Sequence, residues 1–206
     1  MIIDSHAHYD DEAFEEDRDN LLQSMQSNGI EKIINVGANI KGSRASIALS
    51  EQYPFIYAAV GVHPSDTEEL NEEKMAWLKE VSKKEKVVAI GEIGLDYYWP
   101  EPDREIQKKW FIRQMELAQE VNLPVIIHSR DAAQDTVEIL KQFPANGVIH
   151  CYSYTKESAK EFLKMGFIGI YLGKYKGGIL YGENNKYYGR QGLVQSQSTF
   201  IRSRKC

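Results

Sequence analysis

Met1-Ile2-Ile3-Asp4-Ser5-His6-Ala7-His8 begins as an apolar run and closes on two histidines. The same device recurs downstream. Val60-Gly61-Val62-His63-Pro64, Ile126-Ile127-His128-Ser129-Arg130 and Val148-Ile149-His150-Cys151 each set a histidine directly after an apolar run, so all 5 histidines of the chain take this position. Imidazoles at the ends of separate strands can converge on one metal site, and neutral imidazole suits zinc, manganese and other first-row ions. Scattered surface histidines would not keep the pattern.

The runs themselves set the fold. Apolar, β-branched segments fall at Ile2–Ile3, Ile30–Val36, Phe55–Val62, Val87–Ile90, Pro124–Ile127, Gly147–Ile149 and Phe167–Leu172. Segments of helical period lie between them: Ile106, Trp110, Leu117 and Val121 share one face, as do Ala133, Val137 and Leu140. Asp103 after Pro102 reads as a helix start, Thr155 as a cap, and Gly166 after Lys164-Met165 as a helix stop. Buried strands alternating with amphipathic helices imply parallel βαβ units. Seven strands with six intervening helices predict an α/β fold of the TIM-barrel (β/α)8 type. An open doubly wound sheet is the alternative, weakened because no Gly-rich dinucleotide fingerprint follows the first strand. Such barrels need about 250 residues; with 206 the chain is expected to lack the last one to two βα units.

Residues 1–172 are therefore read as the barrel, and 173–206 as an atypical tail. The tail holds six glycines, four tyrosines and no helical period. It also reverses the charge: +6 there, against -11 over residues 1–172 and -5 overall. An acidic chain does not coat nucleic acid through bulk electrostatics, although it can bind a phosphodiester locally. No run of apolar residues is long enough to span a membrane. The N-terminus lacks the basic region and cleavage site of a secretory signal, and two cysteines make no disulfide framework, so a reduced, cytoplasmic protein is expected.

In a parallel barrel the active face lies at the C-terminal strand ends. His6 and His8, two apart, point to the same side of a strand and make a two-pronged clamp. Glu92, in Ile90-Gly91-Glu92-Ile93-Gly94-Leu95-Asp96-Tyr97, is the acid singled out as catalytic; a carboxylate there can bridge two cations about 4 Å apart. The alternative is a core glutamate paired to Lys or Arg. Asp96 orients a ligand or caps a turn. Arg130 offers a guanidinium fork for phosphate, or pairs with Asp131 or a neighbouring acid. His63 is a ligand or a hydrogen-bond donor to a substrate oxyanion. Asp4 suits a supporting hydrogen bond behind the clamp. Alternation turns Cys151 to the far side of its strand, to pack against a helix. Tyr97-Tyr98-Trp99 reads as a packed loop rather than a base-stacking platform.

Asp4-Ser5-His6-Ala7-His8, Gly61-Val62-His63-Pro64, Gly91-Glu92-Ile93-Gly94-Leu95-Asp96-Tyr97, His128-Ser129-Arg130 and His150-Cys151-Tyr152-Ser153 together resemble the TatD family of metal-dependent deoxyribonucleases and related hydrolases, over roughly residues 1–170. The resemblance implies an amidohydrolase-like barrel with two divalent cations (Mg, Mn or Zn). It puts His6, His8 and Glu92 on one ion and Glu92, His128 and His150 around the other. His63, Asp96 and Arg130 are left to the substrate. The implied reaction is phosphodiester hydrolysis of DNA, on single strands or 3′ ends.

Two departures stand out. Tyr154 follows Ser153 where the family carries Gly, and the Glu-Thr-Asp segment of the family's eighth strand is missing; the only acid after Glu161 is Glu183. A shifted reading frame near Phe167–Leu172, or as the competing cause an older inherited degeneration, would account for both the missing segment and the charge reversal; either predicts impaired activity with fewer than two tightly held ions. A Glu-Thr-Asp segment in another frame of the coding DNA would support it. Competing functions are a non-catalytic metal-binding remnant or unstable truncated product, and a metal-dependent hydrolase of a small ester, amide or lactone.

Overall fold

Apolar runs too short for a helix and covered on both faces form strands, and the amphipathic segments between them form the cover. The computed structural model describes residues 2–169 and 192–193. Strands and helices alternate along the chain: β1 (Ile2–Ala7), α1 (Arg18–Ser24), β2 (Ile30–Val36), α2 (Ile40–Gln52), β3 (Ile56–Val60), α3 (Glu72–Val81), β4 (Val87–Asp96), α4 (Arg104–Val121), β5 (Val125–Arg130), α5 (Ala133–Leu140), β6 (Gly147–His150), α6 (Lys156–Lys164), β7 (Phe167–Gly169) and β8 (Gly192–Leu193). All pairings are parallel, in the order β7-β6-β5-β4-β3-β2-β1-β8. This is the incomplete (β/α)8 barrel that the sequence predicts.

The sheet curls. β1 and β6 have four strands between them, yet the rings of His6 and His150 stack at 3.5 Å between centroids. Side chains alternate between two layers. Ala58, Val60, Val125 and Ile127 join the large core under the helices. Val36, Ala59, Ala89 and Ile126 form a separate small cluster on the other face of β2–β5. His128 stands two residues beyond Ile126, so it continues the inner face to the strand end.

Several boundaries differ from the sequence reading. β4 runs on from Ile90 to Asp96, through both glycines. Its register against β5 pairs Ile90 with Val125 and Ile93 with Ile127, so β4 carries one extra residue over that step. That bulge interrupts the alternation just where Glu92 sits. The buried face of α4 is Gln107, Trp110, Phe111, Gln114, Met115, Leu117 and Ala118; Ile106, expected on it, is 37% exposed. The caps at Asp103 and Thr155 form as expected, and Gly166 takes φ +93 just after α6. Of the tail, Gly192 and Leu193 pair with Ile2 and Ile3 of β1; the rest of 173–206, with Glu183 and the expected irregular packing, lies outside the described residues, as do residues 170–172.

Candidate metal centre

β1 ends with the clamp. His6 Nε2 lies 3.0 Å from His8 Nε2, and Glu92 Oε2 lies 3.2 Å from the first and 3.7 Å from the second. His8 Nδ1 stands 2.8 Å from the Val36 carbonyl. A carbonyl only accepts, so Nδ1 carries the proton and Nε2 keeps its lone pair toward the site. Ligand atoms about 2.0–2.2 Å from one tetrahedral ion stand about 3.4 Å apart, close to these three edges. Two lone pairs and one imidazole this near share too few protons among themselves. Among the described residues, buried His6 Nδ1 also lacks a hydrogen-bond partner. The donor set fits a divalent cation.

The other oxygen of Glu92 faces elsewhere. Oε1 lies 3.0 Å from His128 Nδ1, and Asp96 Oδ2 lies 3.1 Å from His128 Nε2. His63 closes this second group: its ring packs against that of His128 at 4.2 Å, and one atom each of His63, Glu92 and His128 lie within 4.8 Å of one another. Glu92 thus belongs to both candidate groups found among the described residues. His150 leaves β6 against the face of His6, with Cys151 Sγ 2.6 Å from its Nε2. The expected partition differs here: His63, rather than His150, stands in the group with His128.

Electrostatics follow from burial and pairing. Burial works against a charge on Glu92, but the His150, His6 and His128 imidazoles outweigh it and hold the carboxyl well below the ordinary range. Burial lowers His6, His150 and His63, the last to about 3. His128 is the exception. Burial opposes its charge, yet the bonds to Asp96 and Glu92 prevail and raise it to about 9. Asp96 goes down, its burial outweighed by the bond to His128.

The surroundings correct three expectations. Arg130 does not reach Asp131; its guanidinium lies 3.7 Å over the ring of Tyr98. Tyr98 and Trp99 are 53% and 57% exposed, not packed. Cys151 does not turn away: β6 stops at His150, and a left-handed backbone at Cys151 (φ +49) brings the thiol back to the imidazole. Asp4 is fully buried, accepts weakly from the His6 N–H at 3.4 Å, and receives the Tyr9 hydroxyl at 3.4 Å. Tyr154 is built into the structure: its hydroxyl accepts from Ala132 N–H at 3.0 Å and contacts Ser129 Oγ at 2.9 Å.

Two positioning residues went unread in the sequence. Gln107 Oε1 accepts the Asp96 N–H at 2.9 Å while Nε2 donates to its carbonyl at 3.0 Å. Gln114 grips Val62 the same way, at 2.8 and 3.0 Å. Both are fully buried on α4. They fix the backbone at Asp96 and beside His63. The available signal was two glutamines seven apart on a helix face otherwise apolar. Gly94, one of the two glycines beside Glu92 whose type permits close backbone approach, has φ +144 and lets β5 come so near that a Cβ would run into the His128 carbonyl.

A family model described as TatD related DNase matches residues 3–183. The chain is 44% identical over 170 residues to the Bacillus subtilis (strain 168) uncharacterized metal-dependent hydrolase YabD, covering 81% of this chain and 67% of that protein. It is 33% identical over 162 residues to the 3′-5′ ssDNA/RNA exonuclease TatD of Erwinia tasmaniensis, covering 76% of this chain and 62% of that one. Among solved structures, the TatD homolog YjjV of Escherichia coli K12 superposes with a TM-score of 0.76 at 32% identity, over 82% of this chain and 66% of that one. An uncharacterized amidohydrolase from Saccharomyces cerevisiae shares the fold, with a TM-score of 0.65 at 20% identity. The chain thus spans about two thirds of the length of these relatives.

Proposed function

The chain belongs to the TatD related DNase family, and from that premise we propose that it hydrolyses phosphodiester bonds at the 3′ ends of single-stranded DNA. One observation carries the reading: Glu92 points its two oxygens at two different imidazole groups, Oε2 toward His6 and His8, Oε1 toward His128. A shared carboxylate can hold two neighbouring cations, one on each oxygen. His6, His8 and Glu92 would hold one ion, and Glu92 and His128 the other, with His63 grouped beside them and His150, the expected third ligand, stacked on His6; imidazole and carboxylate donors suit Zn, Mn or Mg. When bound, the cations supply charge stabilisation at phosphorus and an activated nucleophile.

The chain's own residues do the rest. Glu92, held ionised, draws both groups together. Asp96 orients His128 through Nε2 and fixes its tautomer. His63 directs a ring nitrogen toward a substrate oxygen, its Nδ1 2.7 Å from Ser65 Oγ. Arg130, with its face on Tyr98, keeps its in-plane N–H donors for a phosphate. We assign this chemistry to residues 1–172, and 173–206 to an appended basic segment. The lack of the Glu-Thr-Asp segment weakens the reaction in this chain.

Support from relatives is of two kinds. Some are named ssDNA/RNA exonucleases, whereas the 44% and 35% identical ones are named only as uncharacterized metal-dependent hydrolases, with no substrate stated; a small ester, amide or lactone is the second reading. The test is cation-dependent nucleotide release from a 3′-labelled single strand by the wild type and by Glu92→Ala, both confirmed to melt cooperatively. Release by the wild type alone is expected. Equal rates in both overturn the nuclease reading; turnover of a model lactone without release from DNA replaces it with the second.

A further inference from the structure

The loop after β4 holds three aromatic side chains in sequence, and they are not equivalent. Tyr97 is fixed: its hydroxyl donates to Asp135 Oδ2 at 2.6 Å, and the Arg104 guanidinium covers its ring at 4.4 Å. Tyr98 and Trp99 stand half in solvent, edge to face at 4.9 Å and 88°. Of the four large hydrophobic side chains exposed among the described residues, these are the two most exposed. Leaving two such rings in water forfeits burial that a packed loop would gain.

Their place is what gives them a use. The Tyr98 N–H donates to Asp96 Oδ1 at 3.0 Å, and the other oxygen of that carboxylate holds His128 at 3.1 Å. Arg130, whose guanidinium lies 3.7 Å from the centre of the Tyr98 ring and so takes one of its two faces, ends β5 in register with Asp96. The loop is therefore tied to the candidate metal centre through a single carboxylate, and its rings stand beside the Arg130 cation that ends β5. A guanidinium lying flat on a ring spends its face and keeps its five N–H donors in plane for an anion. Rings beside a phosphate-binding fork match the chemistry of one nucleotide: a flat base and its phosphate.

We infer that Tyr98 and Trp99, set at right angles, form a platform that gives an unpaired nucleobase one ring to stack on and the edge of the other to lie against, with Arg130 taking an adjacent phosphate. The inference rests on the nucleic-acid reading of the site. In a duplex the base faces are occupied by neighbouring pairs, so only a single strand offers a face to the rings.

The test uses the full chain with manganese and three phosphorothioate-linked probes of equal length: a single-stranded oligodeoxyadenylate, the same strand annealed to its complement, and an abasic strand. Tyr98→Ala and Trp99→Ala are expected to weaken the single strand roughly five- to thirtyfold and to leave the abasic strand unchanged. Tyr98→Phe and Trp99→Phe restore binding. Arg130→Gln weakens the base-bearing and abasic single strands alike. Both rings are half exposed, so the variants keep the wild-type melting temperature. Equal affinity of the alanine variants for the single strand, or equal affinity of the wild type for base-bearing and abasic strands, overturns the platform. Nucleotide release from the ordinary phosphodiester strand is read in parallel. Release without base dependence keeps the hydrolase and overturns the platform; base-dependent binding without release keeps the platform and overturns the hydrolase.

Discussion

Gln107 holds Asp96 by both backbone groups, accepting from its N–H at 2.9 Å and donating to its carbonyl at 3.0 Å, with a further bond to the Pro102 carbonyl at 2.8 Å. A helix side chain thus sets the height of a carboxylate that itself sets the ring of His128. Gln107→Leu would keep the volume and strand these buried groups. The expected cost is about 2 kcal/mol in stability, with about tenfold weaker binding of manganese by titration. Gln119→Leu, on the exposed side of the same helix, should change neither. Unchanged metal affinity in Gln107→Leu would remove its positioning role.

Gly94 and Gly29 separate strain from collision. Both have positive φ, +144 and +83, but a Cβ at Gly29 meets nothing within 4 Å while one at Gly94 strikes the His128 backbone. Gly29→Ala should cost about 1 kcal/mol of denaturation free energy. Gly94→Ala should cost about 3 kcal/mol or more and abolish the rise in melting temperature on adding a divalent cation, because β4 and β5 must part at the centre. Equal losses in the two variants would show that the close approach at His128 is immaterial.

The histidines predict a stability optimum in chelator. His128, raised to about 9, binds a proton in the folded state that the unfolded chain releases near pH 6.5. Its contribution is complete below that pH and is lost as pH rises through about 9. His6, His63 and His150 are lowered, so the unfolded chain takes up protons they refuse, and stability falls as pH drops below about 6.5. Glu92 and Asp96, also lowered, add to the acid loss. The melting temperature in EDTA should therefore peak near neutrality. A saturating divalent cation should remove the alkaline decline, since it takes the place of the proton on His128. A melting temperature in EDTA that climbs steadily from pH 7 to 9.5 would contradict this pairing.

What the sequence made legible was position along strands. A histidine after an apolar run sits toward a strand end whatever the tertiary detail, and His6, His128 and His150 all do. Backbone irregularity hid the rest. The apolar run stops at Ile90, yet Gly91 and Gly94 continue β4, because a bulge and a close strand approach need glycine too. Cys151 was turned the wrong way since alternation fails once the strand ends and φ becomes positive. Ile106 was assigned to the buried face of α4 because hydrophobicity was the guide. The residue that is buried there, Gln107, satisfies its amide on a distant backbone, and a single periodic pattern carries no trace of such a partner.

The stack of His6 on His150 joins points near opposite ends of the described chain. Contacts of such long sequence separation bear the largest loop-closure entropy and form late in folding. The donor atoms around Glu92 come together only after β1 through β6 have curled, so partly folded chains offer no complete chelate. A cation added during refolding should then leave the early collapse unaltered and slow only the reverse reaction, acting as a latch on chains that have already finished.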